Sequence, residues 1–108
     1  MKPNEEWFLD FDGQTFFLDG SHFIHYEVKR APQSRERPQG LKYSCALIHV
    51  RLGRLAAIDN AHSHFGPRII TYDHLHRGNA RVKPYRFKDV ATLLEDFYQL
   101  IEETRGSK

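Results

Sequence analysis

Apolar and polar positions alternate most clearly over His22 to Lys29, with Ile24, Tyr26 and Val28 on one side and Phe23, His25 and Glu27 on the other. Successive side chains of an extended chain point to opposite faces, so this predicts a half-buried strand with Ile24, Tyr26 and Val28 turned inward. Leu41 to Arg51 repeats the pattern, Tyr43, Cys45 and Leu47 alternating with Ser44, Ala46 and Ile48. Leu55 to Asn60 reads as the next strand, joined to it by a hairpin around Leu52-Gly53. Arg68 to Arg77 reads as one strand, rich in β-branched and aromatic residues. Val82 to Phe87 is a last short strand. Pro84 cannot donate to a ladder, which confines this strand to an edge or ends it early. Upstream, the aromatic run Glu6 to Phe11 reads as a short strand, Asp12-Gly13 as a hairpin-type turn, Gln14 to Leu18 as a continuation and Asp19-Gly20-Ser21 as a second turn.

The period changes once. Val90, Leu93, Leu94, Phe97 and Ile101 recur at helical spacing, with Glu95, Asp96, Glu102 and Glu103 facing elsewhere. Asp89 is placed to cap the start of this helix and Gly106 to stop it. Residues 31–40, with two prolines and a glycine, form a polar loop; Gly66-Pro67 marks another, and Gly78-Asn79 a turn. The expected fold class is α+β: a twisted, mainly antiparallel sheet of about five to seven strands, with one C-terminal amphipathic helix packed on one face. A chain of 108 residues suits a single domain spanning 1–108.

Charge sharpens this outline. Residues 1–28 hold one Lys and six acids, residues 29–88 thirteen Lys/Arg and three acids, and residues 89–108 two basic residues and five acids. A cationic middle between acidic ends is the footprint of a phosphate-backbone binder, or of strand faces paired with the acidic ends. The lone cysteine, Cys45, sits among apolar residues and reads as a small core residue; it excludes an internal disulfide framework and a cysteine-based zinc site. No apolar run approaches the roughly 20 residues of a membrane helix. The N-terminus lacks the layout of a signal peptide, so a soluble cytoplasmic protein is expected.

Four of the seven histidines lie in His62-Ser63-His64 and Asp73-His74-Leu75-His76-Arg77, both pairs at i, i+2. On a strand each pair shares a face. Tyr72, His74 and His76 would then face one way and Thr71, Asp73, Leu75 and Arg77 the other. Asp73 therefore does not readily reach the ring of His74 within its own strand; it could orient a residue on the neighbouring strand, or the strand could end near Asp73, while Asp59, ending a neighbouring strand, can supply the carboxylate that fixes an imidazole tautomer. Metal-free RNA cleavage needs a general base for the 2′-OH, a general acid for the leaving oxygen and a cation for the phosphorane. Histidines fit the first two roles, and Arg77, Arg86 or Lys83 the third. Tyr85 or Tyr72 could stack on a base or donate a proton. A His/Asp set can also ligate Zn²⁺, but no HExxH or Cys/His spacing accompanies it, so no metal and no cofactor is assigned. In the plainest alternative the histidines cap strands, pair with acids or pack on aromatics.

Asp59-Asn60, Asp73-His74-Leu75-His76-Arg77, Pro84-Tyr85-Arg86-Phe87 and Leu93-Leu94-Glu95-Asp96-Phe97 follow one another in that order. This resembles the TumE family of toxins from toxin–antitoxin pairs, with its Asp-Asn pair, Asp-His-x-His motif, Pro-Tyr-x-Phe segment and closing helix carrying Leu-x-Asp-Phe. One departure is the link from Ala61 to Tyr72. It is longer than the short Gly- and Lys-containing link of many members and holds His62, His64 and Arg68 but no lysine. The resemblance implies a small toxin neutralised by a cognate antitoxin, usually a helix-turn-helix protein. The coincidence of the cationic block with the His/Arg/Tyr cluster favours RNA as the target.

The expected function is thus a toxin acting on RNA as a metal-independent ribonuclease. His74 and His76 are the acid/base pair, Arg77 and Arg86 hold phosphate, and Asp73 orients. Arg68, Lys83 and Tyr85 are further RNA contacts, and Asp59, Asn60, His62 and His64 are candidate contributors, the last two from a flexible loop. The alternative is a non-catalytic module that inhibits by occupying a nucleic acid or protein. Oligomeric state is open, a dimer among the options.

Overall fold

The computed structural model describes residues 3–33, 40–60, 64–65, 68–69, 73–78 and 82–106. Among them, six strands form one sheet and two a separate ladder. The sheet runs β1 (Thr15–Phe17), β2 (His22–Arg30), β3 (Leu41–His49), β4 (Gly53–Asp59), β7 (Asp73–Arg77), β8 (Lys83–Tyr85) in spatial order, every neighbouring pair antiparallel. The expected α+β class holds. The ladder pairs β5 (His64–Phe65) with β6 (Arg68–Ile69). The strand expected over Arg68 to Arg77 is therefore two. Arg68 and Ile69 pair with Phe65 and His64, while Asp73 to Arg77 join the main sheet. The turn at Gly66-Pro67 lies outside the described residues, as do most of the 31–40 loop and Asn79.

Strand parity decides which face is buried. Ile24, Tyr26 and Val28 of β2, Leu41, Tyr43, Cys45 and Leu47 of β3, and Ala56 and Ile58 of β4 are all buried, as the alternation predicts. Over them lies α1 (Val90–Gly106), whose buried residues are Val90, Leu93, Leu94, Phe97, Leu100 and Ile101. Phe97 meets Tyr26 edge-on with ring centroids 5.9 Å apart. Asp89 caps this helix. Its carboxylate accepts from the Thr92 amide at 2.7 Å and its carbonyl from the Leu93 amide at 3.0 Å. Asp89→Ala is expected to lower stability by about 1 kcal/mol, read as a lower urea midpoint at unchanged slope.

The segment expected to be a strand from Glu6 to Phe11 is instead part of a 3-10 helix, Pro3–Phe11. The reason is in the spacing of its aromatics. Phe8 and Phe11 are three apart, and at three residues per turn they lie on one side. Both turn to the helix-covered face of the sheet: Phe8 packs on Tyr43 at 6.3 Å and Phe11 on Tyr26 at 5.0 Å. Trp7, beside Phe8 in the chain, is left exposed. Asp12-Gly13 then turns the chain as expected, Gly13 taking a φ of 78° that other residues adopt only under strain. The Asp12 carboxylate ties the turn to β2, accepting from the Val28 amide at 2.9 Å and from Lys29 at 2.7 Å.

With α1 and the 3-10 helix both on one face, the side chains of opposite parity point away from them. That second face carries His25, Glu27 and Lys29 of β2, Lys42, Ser44 and Ala46 of β3, Ala57 and Asp59 of β4, and His74 and His76 of β7. Among the described residues, no helix is long and apolar enough to cross a membrane.

Candidate functional site

The site follows from register. Asp59 ends β4 directly opposite His74 of β7, and Ala57 lies opposite His76. Two residues along a strand return to the same face, so one carboxylate stands across from one imidazole and diagonal to the next. The methyl group of Ala57 leaves His76 room to reach Asp59. The result is a bridged pair. His74 Nδ1 is 3.5 Å from Asp59 Oδ1, and His76 Nε2 is 3.1 Å from Asp59 Oδ2. The imidazole centroids are 6.0 Å apart and their planes 73° to one another. Asp59 and His74 are buried at 6% and 4% exposure; His76 is partly open.

Burial pushes the His76 pKa below the ordinary value of 6.5, because the imidazolium loses hydration. The Asp59 carboxylate pulls it back up, and the positive charge of Arg54 and the neighbouring His74 push it down again. His76 is therefore held as neutral imidazole near neutral pH. An imidazole donating one N–H to a carboxylate keeps its other ring nitrogen as a base, so Asp59 is placed to set the tautomers. The same three side chains each offer one ligand atom, all within 4.8 Å of one another. Two histidines and one carboxylate are also a donor set that transition metals accept.

Several residues singled out by sequence stand elsewhere. Asp73 faces the helix side, where its Oδ2 accepts from the Tyr43 hydroxyl at 2.5 Å. The carboxylate beside the histidines is that of Asp59. Burial, and then the facing Asp73 carboxylate, drive the Tyr43 pKa far above the tyrosine range, so this hydroxyl is a fixed donor. Arg77, adjacent to His76 in sequence, points the other way and lies 3.4 Å from Glu103 of α1. Tyr85 also turns to α1 and donates to Asp96 at 2.5 Å. Burial and that contact raise its pKa beyond use as an acid near neutrality. Lys83 is exposed on the edge strand and Arg86 exposed just after it. Asn60 is buried, and its amide joins β4 to β3: Oδ1 accepts from the Tyr43 amide at 2.8 Å and Nδ2 donates to the Leu41 carbonyl at 2.7 Å. His64 and Arg68 lie in the small ladder; His62 and Tyr72 fall outside the described residues. Cys45 is a buried core thiol, as expected, with its pKa raised by burial.

Sequence reasoning did not single out Arg54. A bulge between Leu47 and Ile48 shifts the register so that Arg54 pairs with Ile48 and shares the histidine face. Part of the cationic block is balanced within the fold. Lys29 pairs with Asp12, Arg30 with Glu6 and Arg77 with Glu103, each acid lying in one of the acidic ends of the chain.

An antiparallel sheet with a helix on one face and a carboxylate-bridged histidine pair on the other is the framework of a small α+β protein. Residues 5–105 match the family model described as Toxin TumE, and the chain belongs to that family. It is therefore the toxin component of a toxin–antitoxin system, with an antitoxin as its partner. No curated protein and no solved structure matches the chain.

Proposed function

We propose that this toxin acts on RNA as a metal-independent ribonuclease, with His74 and His76 as its acid/base pair. The observation that carries the reading is the single Asp59 carboxylate set against both imidazoles on the face opposite α1. His76, held neutral, takes the proton of a ribose 2′-OH. The freed oxygen bonds to the adjacent phosphorus, the bond from phosphorus to the 5′-oxygen breaks, and that oxygen leaves with a proton from His74. The products are a 2′,3′-cyclic phosphate and a free 5′-hydroxyl. Asp59 orients both rings. Arg54, a cation on that face, meets the negative charge of the phosphorane. The antitoxin, in this reading a helix-turn-helix protein, silences the activity when bound.

A second reading rests on the same cluster. The convergence of Asp59, His74 and His76 supports a bound transition metal that would make cleavage metal-dependent. Purified toxin incubated with single-stranded RNA, with and without a chelator, separates the two. Cleavage that survives chelation and leaves cyclic phosphate ends supports histidine chemistry. Cleavage abolished by chelation and restored by Zn²⁺ or Mn²⁺ supports the metal. Tight RNA binding without cleavage sinks both in favour of a non-catalytic module.

The pH profile is a further check. Since His76 must be unprotonated to act as base and its pKa is lowered from 6.5, the acidic limb of the cleavage profile is expected below pH 6.5. A limb at pH 7 or above would remove His76 from the role of base.

A further inference from the structure

Beside the histidine pair, the face opposite α1 is hollow. A depression of about 330 Å³ is lined by Glu27, Lys29, Lys42, Ser44, Arg54 and Asp59, among others. The small side chain of Ser44 on β3 leaves room there. Most of the long side chains around the rim are cationic.

The charges around this hollow are not equivalent. The Lys29 ammonium is engaged by Asp12 at 2.7 Å. Glu27 lies 3.7 Å from His25, and Asp59 is shared by the two imidazoles. Lys42 and Arg54 have no carboxylate partner among the described residues, and both are exposed. Two uncommitted cations and a serine hydroxyl therefore border a hollow whose far wall is the Asp59 carboxylate that holds His74 and His76. Arg54, paired with Ile48 across the bulge, shares the histidine face. A guanidinium, an ammonium and a hydroxyl along the border of one hollow offer charge-assisted hydrogen bonds to the phosphates of a strand laid over it.

We propose that the hollow bordered by Lys42, Ser44 and Arg54 is the subsite that seats the phosphate backbone of the RNA strand, beside the histidine pair. This rests on the reading of the toxin as an RNA-directed protein and adds where the strand lies: across β3 and β4 on the face opposite α1. Ser44 stands opposite Asp59 in register, so a phosphate held there is one strand-width from the carboxylate that orients both rings. Arg77, on the other face with Glu103, takes no part in this contact.

The test is binding of a single-stranded oligonucleotide with 2′-O-methyl riboses, which cannot be cut by attack of a 2′-OH, read by fluorescence anisotropy over a series of salt concentrations. Arg54→Ala and Lys42→Ala, both at exposed positions, are each expected to weaken binding roughly tenfold. Each should also flatten the salt dependence by about 0.7 in log–log slope, the contribution of one phosphate contact on a single strand. Arg54→Lys should recover part of the loss. If the wild-type protein binds and both alanine variants bind equally well with the same salt slope, the subsite is overturned while the RNA reading stands. The subsite falls in the same way if Lys83→Ala and Arg86→Ala carry the loss instead. No binding by the wild-type protein overturns the subsite and the RNA reading together.

Discussion

Alanine at His76 is expected to lower RNA cleavage by roughly 10²- to 10⁴-fold, the range that a positioned general base contributes. His76 is the better of the two histidines for this measurement. It is partly open, whereas His74 is buried against Asp59, so His74→Ala also leaves a cavity beside a carboxylate. His76→Ala should keep its thermal midpoint close to that of the wild type and keep its affinity for uncleavable RNA. The loss should then appear in the chemical step alone, and in living cells as loss of toxicity without loss of antitoxin binding. Asp59→Asn is the companion. The amide keeps the shape of the carboxylate but presents a donor to one imidazole, so at least one ring is held in the wrong tautomer. A loss on the order of 10²-fold is expected, because both rings depend on one group. Full cleavage by either variant, in a protein shown to be folded, would remove the bridged pair from the mechanism.

Much of the fold was legible because its signals are local. The i, i+2 alternation of β2 and β3 names the buried face residue by residue, and the 3.6 period of α1 together with Asp89 names the helix and its start. The N-terminal segment was not legible as a helix. An aromatic run without alternation fits a strand or a helix until something decides which side chains can be covered. Phe8 and Phe11 are covered only if they share a side, which three residues per turn achieves and an extended chain does not. The split between Arg68 to Ile69 and Asp73 to Arg77 was hidden for another reason. β-branched residues favour extended backbone whichever ladder they join.

The site was half legible. Parity along a single strand places His74 and His76 together and already sends Asp73 and Arg77 to the other face, and it left Asp59 as a candidate carboxylate for the pair. Giving Arg77 the phosphate set its closeness in sequence against that parity; in the fold Arg77 turns to Glu103. Arg54 could not be placed from sequence. Its face depends on a bulge in the pairing of β3 with β4, and a one-residue shift moves every later side chain to the opposite face.

The adjacent polar residues Asp59 and Asn60 turn to opposite faces of the sheet. Asp59 faces the histidines. Asn60 is fully buried, and its amide satisfies one backbone donor and one backbone acceptor of β3. Asn60→Ala is expected to cost roughly 3 kcal/mol, since the Tyr43 N–H and the Leu41 C=O would both lose a partner in a buried place, at about 1–3 kcal/mol each. For a domain of this size that is a fall in melting temperature on the order of 10–20 °C. Asn60→Asp tests the geometry more finely. A carboxylate can still accept from the Tyr43 amide but cannot donate to the Leu41 carbonyl, and it brings a charge into a buried site. It should therefore be no more stable than the alanine variant at neutral pH, and should recover as the pH falls and the acid becomes a donor. A variant at Asn60 with unchanged melting would show that β3 and β4 hold their register without this amide. Loss of cleavage in proportion to unfolding, with normal activity in the folded fraction, is the expected signature of Asn60 as a structural tie whose neighbour does the chemistry.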